Sequence, residues 1–458
     1  MRMTVIGTGY VGTVHAACMA DIGHEVLGID IDAARVATLA AGRAPMCEAG
    51  LDDLLARALA SGRLHFTTSM DEGAAFARTH FLCVGTPQCH DGAAADLRYV
   101  DAVVDSLAPR LRPGSLVVGK STVPVGTAAR IGRGLATTSP GSEVAWNPEF
   151  LREGSAVADT MRPDRLVVGV GSAEAEATLR TIYAPMIQAG VPFFVTDPAT
   201  AELVKVAANS FLATKISFIN AMSEVCAVAN ADATVLARAV GADSRIGERF
   251  LEPGLGFGGS CFPKDIRAFA ARAEELGAGE AVAFLHEVDR INTRQRRRTV
   301  AFARDLMGGS LTDRRIAVFG AAFKPGSDDV RDSPALAVAS TLQQEGAEVR
   351  VHDPQALENA RAACPGPAYV STVPEACADA DLVLHLTAWP EYRQIDPAAL
   401  ALVVREPSLL DARNSLDARV WQQAGWAMHS LGRPRPDGPG SGDGQSSGRP
   451  VLVAGGAS

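Results

Sequence analysis

A chain of 458 residues is long enough for two or three domains with sizeable cores. Hydrophobic residues make up 47% and charged residues 21%, the balance of a soluble globular protein, and a formal net charge of −9 argues against a general nucleic-acid binder, which needs clustered Lys and Arg. The one basic run, Arg294-Gln295-Arg296-Arg297-Arg298, reads as the solvated face of a helix.

The predicted elements begin at Met3–Ile6, a strand with no charged leader before it, so a cytoplasmic chain is expected. Further strands are expected at Glu25–Ile29, Leu64–Thr67, His80–Val84, Leu116–Gly119, Val144–Trp146, Leu166–Val170 and Phe193–Thr196. Ala-rich helical stretches alternate with them, the pattern of a parallel sheet covered by helices.

Between the first strand and its helix lies Gly7-Thr8-Gly9-Tyr10-Val11-Gly12. Glycines there allow a tight turn and close approach of a pyrophosphate to the helix N-terminus. Asp30 ends the second strand, where a carboxylate can accept both ribose hydroxyls and repel a 2′-phosphate. The pattern predicts NAD, with Arg35 tempering the discrimination against a phosphate. The strand ends Val84-Gly85-Thr86-Pro87 and Lys120-Ser121-Thr122-Val123-Pro124 should line the same cleft.

From Ala199 to about Ala239 the period becomes helical, predicting one long helix that joins domains and builds a dimer interface. Its most apolar stretch, Val204–Ile219, is interrupted by Lys205, Asn209 and Lys215, which argues against a membrane span. Lys205 and Asn209 stand at i and i+4 among apolar neighbours, so both need polar partners, one of which a bound oxyanion could supply. The bland alternative is a solvated lysine and a capping asparagine. Further helix is expected from Asp265 to about Met307.

Gly254-Leu255-Gly256-Phe257-Gly258-Gly259-Ser260-Cys261-Phe262-Pro263-Lys264-Asp265 brings glycine-rich backbone to a cysteine flanked by charge. The nearby Lys264 predicts a thiol biased toward thiolate. The other seven cysteines (18, 47, 83, 89, 226, 364, 377) lack metal-ligand spacing and are expected to be structural free thiols, with no metal. At Arg314 the α/β pattern restarts: Ile316–Gly320, Glu348–Asp353 and Leu382–Thr387 echo the first half but lack the glycine fingerprint.

The fold expected is therefore α/β, with two Rossmann-like doubly wound parallel-sheet domains joined by a central helical domain with a long helix. The divisions are 1–196 for NAD, 197–310 for the helical and dimerisation domain, 311–432 for the second α/β domain, and 433–458 for a Gly/Pro/Ser-rich disordered tail. A hydride acceptor beside an activated thiol predicts oxidation of an alcohol to an acid. An aldehyde cannot release hydride until a nucleophile adds to it, and a thiohemiacetal can, leaving a thioester that water hydrolyses.

At these motifs the chain resembles the UDP-glucose 6-dehydrogenase branch of the UDP-glucose/GDP-mannose dehydrogenase family. Besides the stretches above, the resemblance is carried by Asn147-Pro148-Glu149-Phe150-Leu151-Arg152-Glu153-Gly154, Pro163-Asp164-Arg165, Phe323-Lys324-Pro325-Gly326, Asp329-Val330-Arg331 and Asp411-Ala412-Arg413-Asn414. It implies Cys261 as nucleophile and Lys205 and Asn209 as oxyanion donors. It further implies that Asp265 acts with Lys205 on the hydrolytic water, and that Thr122 and Glu149 handle the first proton through a water. For NAD it implies Gly7, Gly9, Val11, Gly12, Asp30, Arg35, Thr86, Thr122, Glu153, Lys264 and Arg331. For UDP-glucose it implies Glu149, Phe150, Leu151, Arg152, Lys205, Asn209, Phe250, Leu251, Gly254, Gly258, Lys324 and Arg413, with Arg245 reaching the sugar nucleotide of a partner in a homodimer. UDP would occupy the second α/β domain. Glu48-Ala49-Gly50 departs from the usual Glu-Pro-Gly turn and should affect only a surface loop. GDP-mannose or UDP-N-acetylmannosamine with the same chemistry, a two-electron β-hydroxyacid-type dehydrogenase and an inactive nucleotide-sugar sensor are the alternatives; no nucleic acid or membrane partner is expected.

Overall fold

The computed structural model describes residues 1–90 and 92–434. Its first sheet contains β1 Arg2–Ile6, β2 Glu25–Ile29, β3 Leu64–Thr67, β4 Thr79–Leu82, β5 Leu116–Gly119, β6 Glu143–Trp146, β7 Leu166–Gly169 and β8 Phe193–Thr196, in the order β3-β2-β1-β4-β5-β6-β7-β8. Alternation along each strand feeds two cores. Met3 and Val5 pack with Val26, Phe81 and Val118 on one face, while Ile6 packs with Leu27, Leu82 and Val117 on the other. The sheet departs from the parallel expectation at one edge. β6 meets β7 antiparallel through Trp146 and Gly169, so β7 and β8 run against the first six strands. Strand composition carries no signal for direction, which is set by the connection between β6 and β7.

The long helix runs Pro198–Ala229 and not to Ala239. Asp197 caps it, accepting from the Thr200 amide at 2.9 Å, and Pro198 occupies the first turn. Asn230 ends it in the left-handed region at φ 55°, and Asp232 caps a separate helix, Ala233–Gly241. By length and hydropathy the long helix could cross a membrane. Its polar Glu202, Lys205, Asn209, Ser217 and Asn220 are instead buried against protein.

Two more major helices follow, Phe262–Glu275 and Phe284–Leu306. The first starts three residues earlier than expected. The basic run on the second is not a solvated face. Arg294 and Arg298 pair with Glu224, Arg296 pairs with Asp332, Gln295 is buried, and Arg297 is exposed.

The second sheet contains β9 Arg315–Phe319, β10 Glu348–His352, β11 Ala368–Tyr369, β12 Leu382–His385, β13 Ser408–Asp411 and β14 Ala427–Ser430. All its strands are parallel, in the order β11-β10-β9-β12-β13-β14, around a core of its own that includes Val318, Val338, Leu384, Leu410 and Trp421. The chain then returns to the helical region, where the Ala233 amide donates to the Gly432 carbonyl at 2.9 Å. Of the expected tail, Arg433 and Pro434 are described, and the rest lies outside the described residues.

Candidate active site

β1 ends at Ile6 and the helix Tyr10–Asp21 begins four residues later. No side chain caps that helix: Gly9 stands at the cap position, so its first-turn N–H groups remain available to an anion. Gly12 is obligatory, because a Cβ there would lie 1.8 Å from the Gly7 carbonyl oxygen. Val11 lies in the same first turn.

Asp30 follows β2 and turns back toward the glycine turn. Its Oδ2 accepts from the Thr8 amide at 2.8 Å and hydroxyl at 3.0 Å, and its Oδ1 accepts from the Asp32 amide at 3.1 Å. The Arg35 guanidinium stands 3.1 Å from Oδ2. Burial would raise the Asp30 pKa, but the two amides and Arg35 outweigh it and hold the carboxyl below its ordinary value. An ionised carboxylate beside an uncapped helix end fits a dinucleotide's ribose and pyrophosphate. The expected strand ends adjoin: the Thr86 hydroxyl donates to the Thr122 carbonyl at 2.7 Å. Thr86 and Thr122 line one cavity with Val206, Lys264, Asp265 and Arg272.

The thiol stands across this cleft. Cys261 is the N-cap residue of the helix Phe262–Glu275, a position where the helix dipole favours a thiolate. It keeps an exposed surface on the open cleft, while protein packs closely around its sulfur. Burial pushes the thiol pKa up, Lys205 acts in the opposite direction, and the net direction is upward. Sequence adjacency suggested Lys264 as the activating cation. In the structure the Lys264 ammonium is 2.6 Å from the Asp265 carboxylate, and the cation acting on the sulfur is Lys205, from another helix.

Lys205 is buried and 2.9 Å from Glu149 Oε1. Burial alone would lower its pKa. Glu149, Cys261 and Asp265 outweigh that and raise it, so Lys205 stays an ammonium. One helical turn on, Asn209 Nδ2 donates to Asp265 Oδ2 at 2.7 Å. Cys261, Lys205, Asn209, Asp265 and Glu149 thus form one cluster, drawn from the long helix, the thiol helix and the loop after β6. Neither bland alternative survives: Lys205 is not solvated, and Asn209 caps nothing.

On the other side of the thiol loop lies the second α/β domain. Arg413 donates from Nε to the Leu386 carbonyl at 2.6 Å and from Nη1 to the Gly256 carbonyl at 2.8 Å. Its Nη2 is buried without a protein partner, and burial lowers its pKa to about 10. A buried guanidinium nitrogen facing this loop suits an anionic ligand. Gly258 packs against backbone of the second domain, where a Cβ would meet the Asp332 carbonyl at 2.3 Å. Leu251 is buried, Gly254 lies against Ala412 and Arg413, and Phe250 holds φ 67° with its ring 6.3 Å from that of Phe262.

The segment after β6 joins the two ends. Arg165 stacks its guanidinium 3.9 Å above the Phe150 ring. Leu151 packs against the first-sheet core. Ser260 donates to Glu153 Oε1 at 3.2 Å, Arg331 lies 3.5 Å from the same oxygen, and Lys324 donates to the Glu153 carbonyl at 2.6 Å. Two expected ligand residues are otherwise engaged. Arg152 pairs with Asp159 at 2.6 Å, and the exposed Arg245 pairs with Asp243 at 2.6 Å.

Sequence reasoning missed the residues that suspend the thiol loop. Asn292 accepts from the Phe257 amide at 2.8 Å and donates to its carbonyl at 2.9 Å, while Asn220 accepts from the Gly254 amide at 2.8 Å. The available signal was a polar residue on an apolar helical stripe, since Asn292 and Gln295 continue the buried face of Leu285 and Val288. Glu48 was also misread as part of a surface loop. It is buried, receives the Tyr10 hydroxyl, and accepts from the Gly154 amide at 2.7 Å, which ties the glycine turn to the segment after β6. Among the described residues no group of three or more His, Cys, Asp or Glu could hold a metal ion.

Comparison with known proteins agrees with this layout. Residues 1–187 match the NAD binding domain of the UDP-glucose/GDP-mannose dehydrogenase family, 199–294 its central domain, and 317–418 its UDP binding domain. The chain is 40% identical over 438 residues to a UDP-glucose 6-dehydrogenase of Rhizobium meliloti, covering 95% of this chain and 100% of that protein. It is 41% identical to one from Pseudomonas aeruginosa, covering 95% and 98%. The structure of a UDP-glucose dehydrogenase from Pyrobaculum islandicum superposes with a TM-score of 0.85 at 41% identity, covering 92% of this chain and 95% of that one.

Proposed function

The chain belongs to the UDP-glucose/GDP-mannose dehydrogenase family, and from that premise we propose that it oxidises the C6 primary alcohol of UDP-glucose to the carboxylate of UDP-glucuronate. The observation that carries this reading is the cluster in which a thiol at a helix N-terminus stands with a buried ammonium paired to Glu149, while Asn209 on the next turn donates to Asp265. The glycine turn and Asp30 would hold NAD⁺, and two NAD⁺ in succession would each accept two of the four electrons released.

The chain's own residues supply the rest. Thr122 and Glu149 take the alcohol proton through a water, and the Glu149–Lys205 pair gives that proton an ionised acceptor. Lys205 has three donors and uses one on Glu149; Asn209 has two and uses one on Asp265. The remaining donors face the oxygen that becomes negative when the Cys261 sulfur bonds to the aldehyde carbon. The resulting thiohemiacetal is oxidised to a thioester, which an aldehyde alone could not become. Asp265 with Lys205 then orients the water that cleaves the thioester, freeing Cys261 and the carboxylate. Arg413 and Lys324 of the second α/β domain, with the loop 250–258 of the helical region, hold the nucleotide sugar.

The enzyme works as a homodimer in the cytoplasm. The dimer reading is supported by the long helix, which exposes Phe211, Phe218, Val225 and Val228; Arg245, exposed but paired with Asp243, would have to leave that carboxylate to reach a partner's substrate. The compartment is supported by eight free thiols. Counting NADH against UDP-glucose consumed tests the reaction. Two per substrate with uronate as product is expected, whereas one per substrate with an accumulating aldehyde or ketone would refute it.

A further inference from the structure

Lys120 follows β5 and is buried, yet among the described residues it forms no ion pair with a carboxylate. Its ammonium donates to Asn147 Oδ1 at 3.0 Å and lies 3.5 Å from the Asn147 carbonyl. A buried cation that meets only neutral acceptors is costly, so the fold must use it. Asn147 is held on every side. Its amide donates to the Gly119 carbonyl at 2.8 Å, its Nδ2 to the Val167 carbonyl at 2.8 Å, and the Tyr183 hydroxyl donates to its Oδ1 at 2.5 Å. Two residues after Lys120 comes Thr122; two residues after Asn147 comes Glu149. Next to Lys120, the Ser121 hydroxyl donates to the Val84 carbonyl at 2.6 Å and pins the same turn to the strand end beside Thr86.

We propose that Lys120 is a positioning residue: it binds the turn carrying Thr122 to the turn carrying Glu149, fixing the distance across which the first proton travels, and lends its positive charge to the Glu149–Lys205 pair. This rests on the reading of Thr122 and Glu149 given above. The charged and titratable groups around it are Cys83 from the end of β4, His15 from the first helix, Tyr183, and Glu149 with Lys205. Beyond the pair stand Cys261 and Asp265. Burial and the neighbouring Lys205 lower the Lys120 pKa, while Cys83 and Glu149 act to raise it. Loss of its charge makes proton release from the pair harder.

The test compares Lys120→Met, Lys120→Gln and Lys120→Arg with wild type and Glu149→Gln, measuring kcat against pH and the affinities for NAD⁺ and UDP-glucose. In the folded neutral variants kcat should fall at least about tenfold with affinities nearly unchanged, and its acidic limb should move to higher pH. Arg should restore the limb. A merely structural residue would lower the plateau and leave the limb in place, which overturns the proposal, as does wild-type behaviour of either folded neutral variant. The Gln form, which retains a donor for Asn147, serves if Met prevents folding. If Glu149→Gln keeps full activity, the underlying reading of the proton path fails instead, so the two failures are separable.

Discussion

The first six strands of the first sheet and the six of the second share one order, yet the carboxylates that follow their second strands have opposite fates. Asp30 leaves Oδ1 with a single amide donor, and the helix beside it starts uncapped. Asp353 is saturated by the protein. Its Oδ2 accepts from the amides of Ala321 and Ala322 and the Trp389 indole at 2.7, 3.0 and 3.0 Å, and its Oδ1 accepts from those of Gln355 and Ala356 at 2.9 and 2.8 Å. The helix after β9 begins only at Pro334, and Ser333 already caps it. One half therefore keeps a carboxylate and a helix end for a dinucleotide, while the other has turned both inward to stabilise itself. Topology is shared, and ligand choice lies in which polar groups the fold leaves unspent.

The largest effect is expected where the two halves meet. Cys261→Ala should lower uronate formation roughly a thousandfold or more, because only the second oxidation needs the thiol. The variant should still reduce the UDP-linked 6-aldehyde with NADH, followed by absorbance and chromatography. Near wild-type uronate formation would remove Cys261 from its role. Loss of aldehyde reduction in a folded, NADH-binding variant would show that the thiol does more than add to the aldehyde.

Next, Asp353→Ala should cost about 3 kcal/mol of stability by orphaning buried donors, without changing KM for NAD⁺. Asp30→Ala should do the reverse, costing about 2 kcal/mol in kcat/KM for NAD⁺ with a smaller loss in denaturant stability. If both variants behave alike, the contrast between the carboxylates is false. The same Asp30 carboxylate should give a strong preference for NAD⁺ over NADP⁺; equal efficiency with both would show that Arg35 dominates the pocket.

The smallest effect separates the halves by pH. Among the described residues His80 on β4 bonds only the Thr4 hydroxyl, at 2.8 Å, and burial lowers its pKa to about 4, whereas His385 on β12 lies 2.8 Å from the Asp411 carboxylate. A buried neutral histidine stabilises fully above its unfolded pKa. That contribution is lost as pH falls from about 6.5 toward the folded value. Between pH 7 and pH 5, His80 should account for about 2 kcal/mol of lost stability. Urea titrations at the two pH values should show a smaller drop for His80→Asn, and an unchanged drop would exclude His80.

The sequence displayed what chemistry and period encode. The glycine fingerprint, Asp30, the alternating strands and the thiol loop are local patterns, and each has a physical cause that acts within a few residues. It concealed what depends on assembly. The reversal of β7 and β8 is a matter of connection, and the break at Asn230 needs one residue in the left-handed region inside a helical period. Lys264 stands nearer the thiol in sequence, but the fold brings Lys205 to it, 56 residues before. Asn292, Asn220 and Lys120 were hidden because a buried polar residue declares its purpose only when its partner is in view, loop backbone for the two asparagines and the Asn147 side chain for Lys120.

The central claim is that one half holds the dinucleotide and the other holds the nucleotide of the substrate. Calorimetric titration of NADH and of UDP into the wild-type enzyme and Asp30→Ala tests it most directly. One NADH and one UDP per chain are predicted, bound in either order, with Asp30→Ala weakening NADH alone. Two NADH per chain, displacement of UDP by NADH, or equal weakening of both ligands would contradict the division of labour between the two sheets.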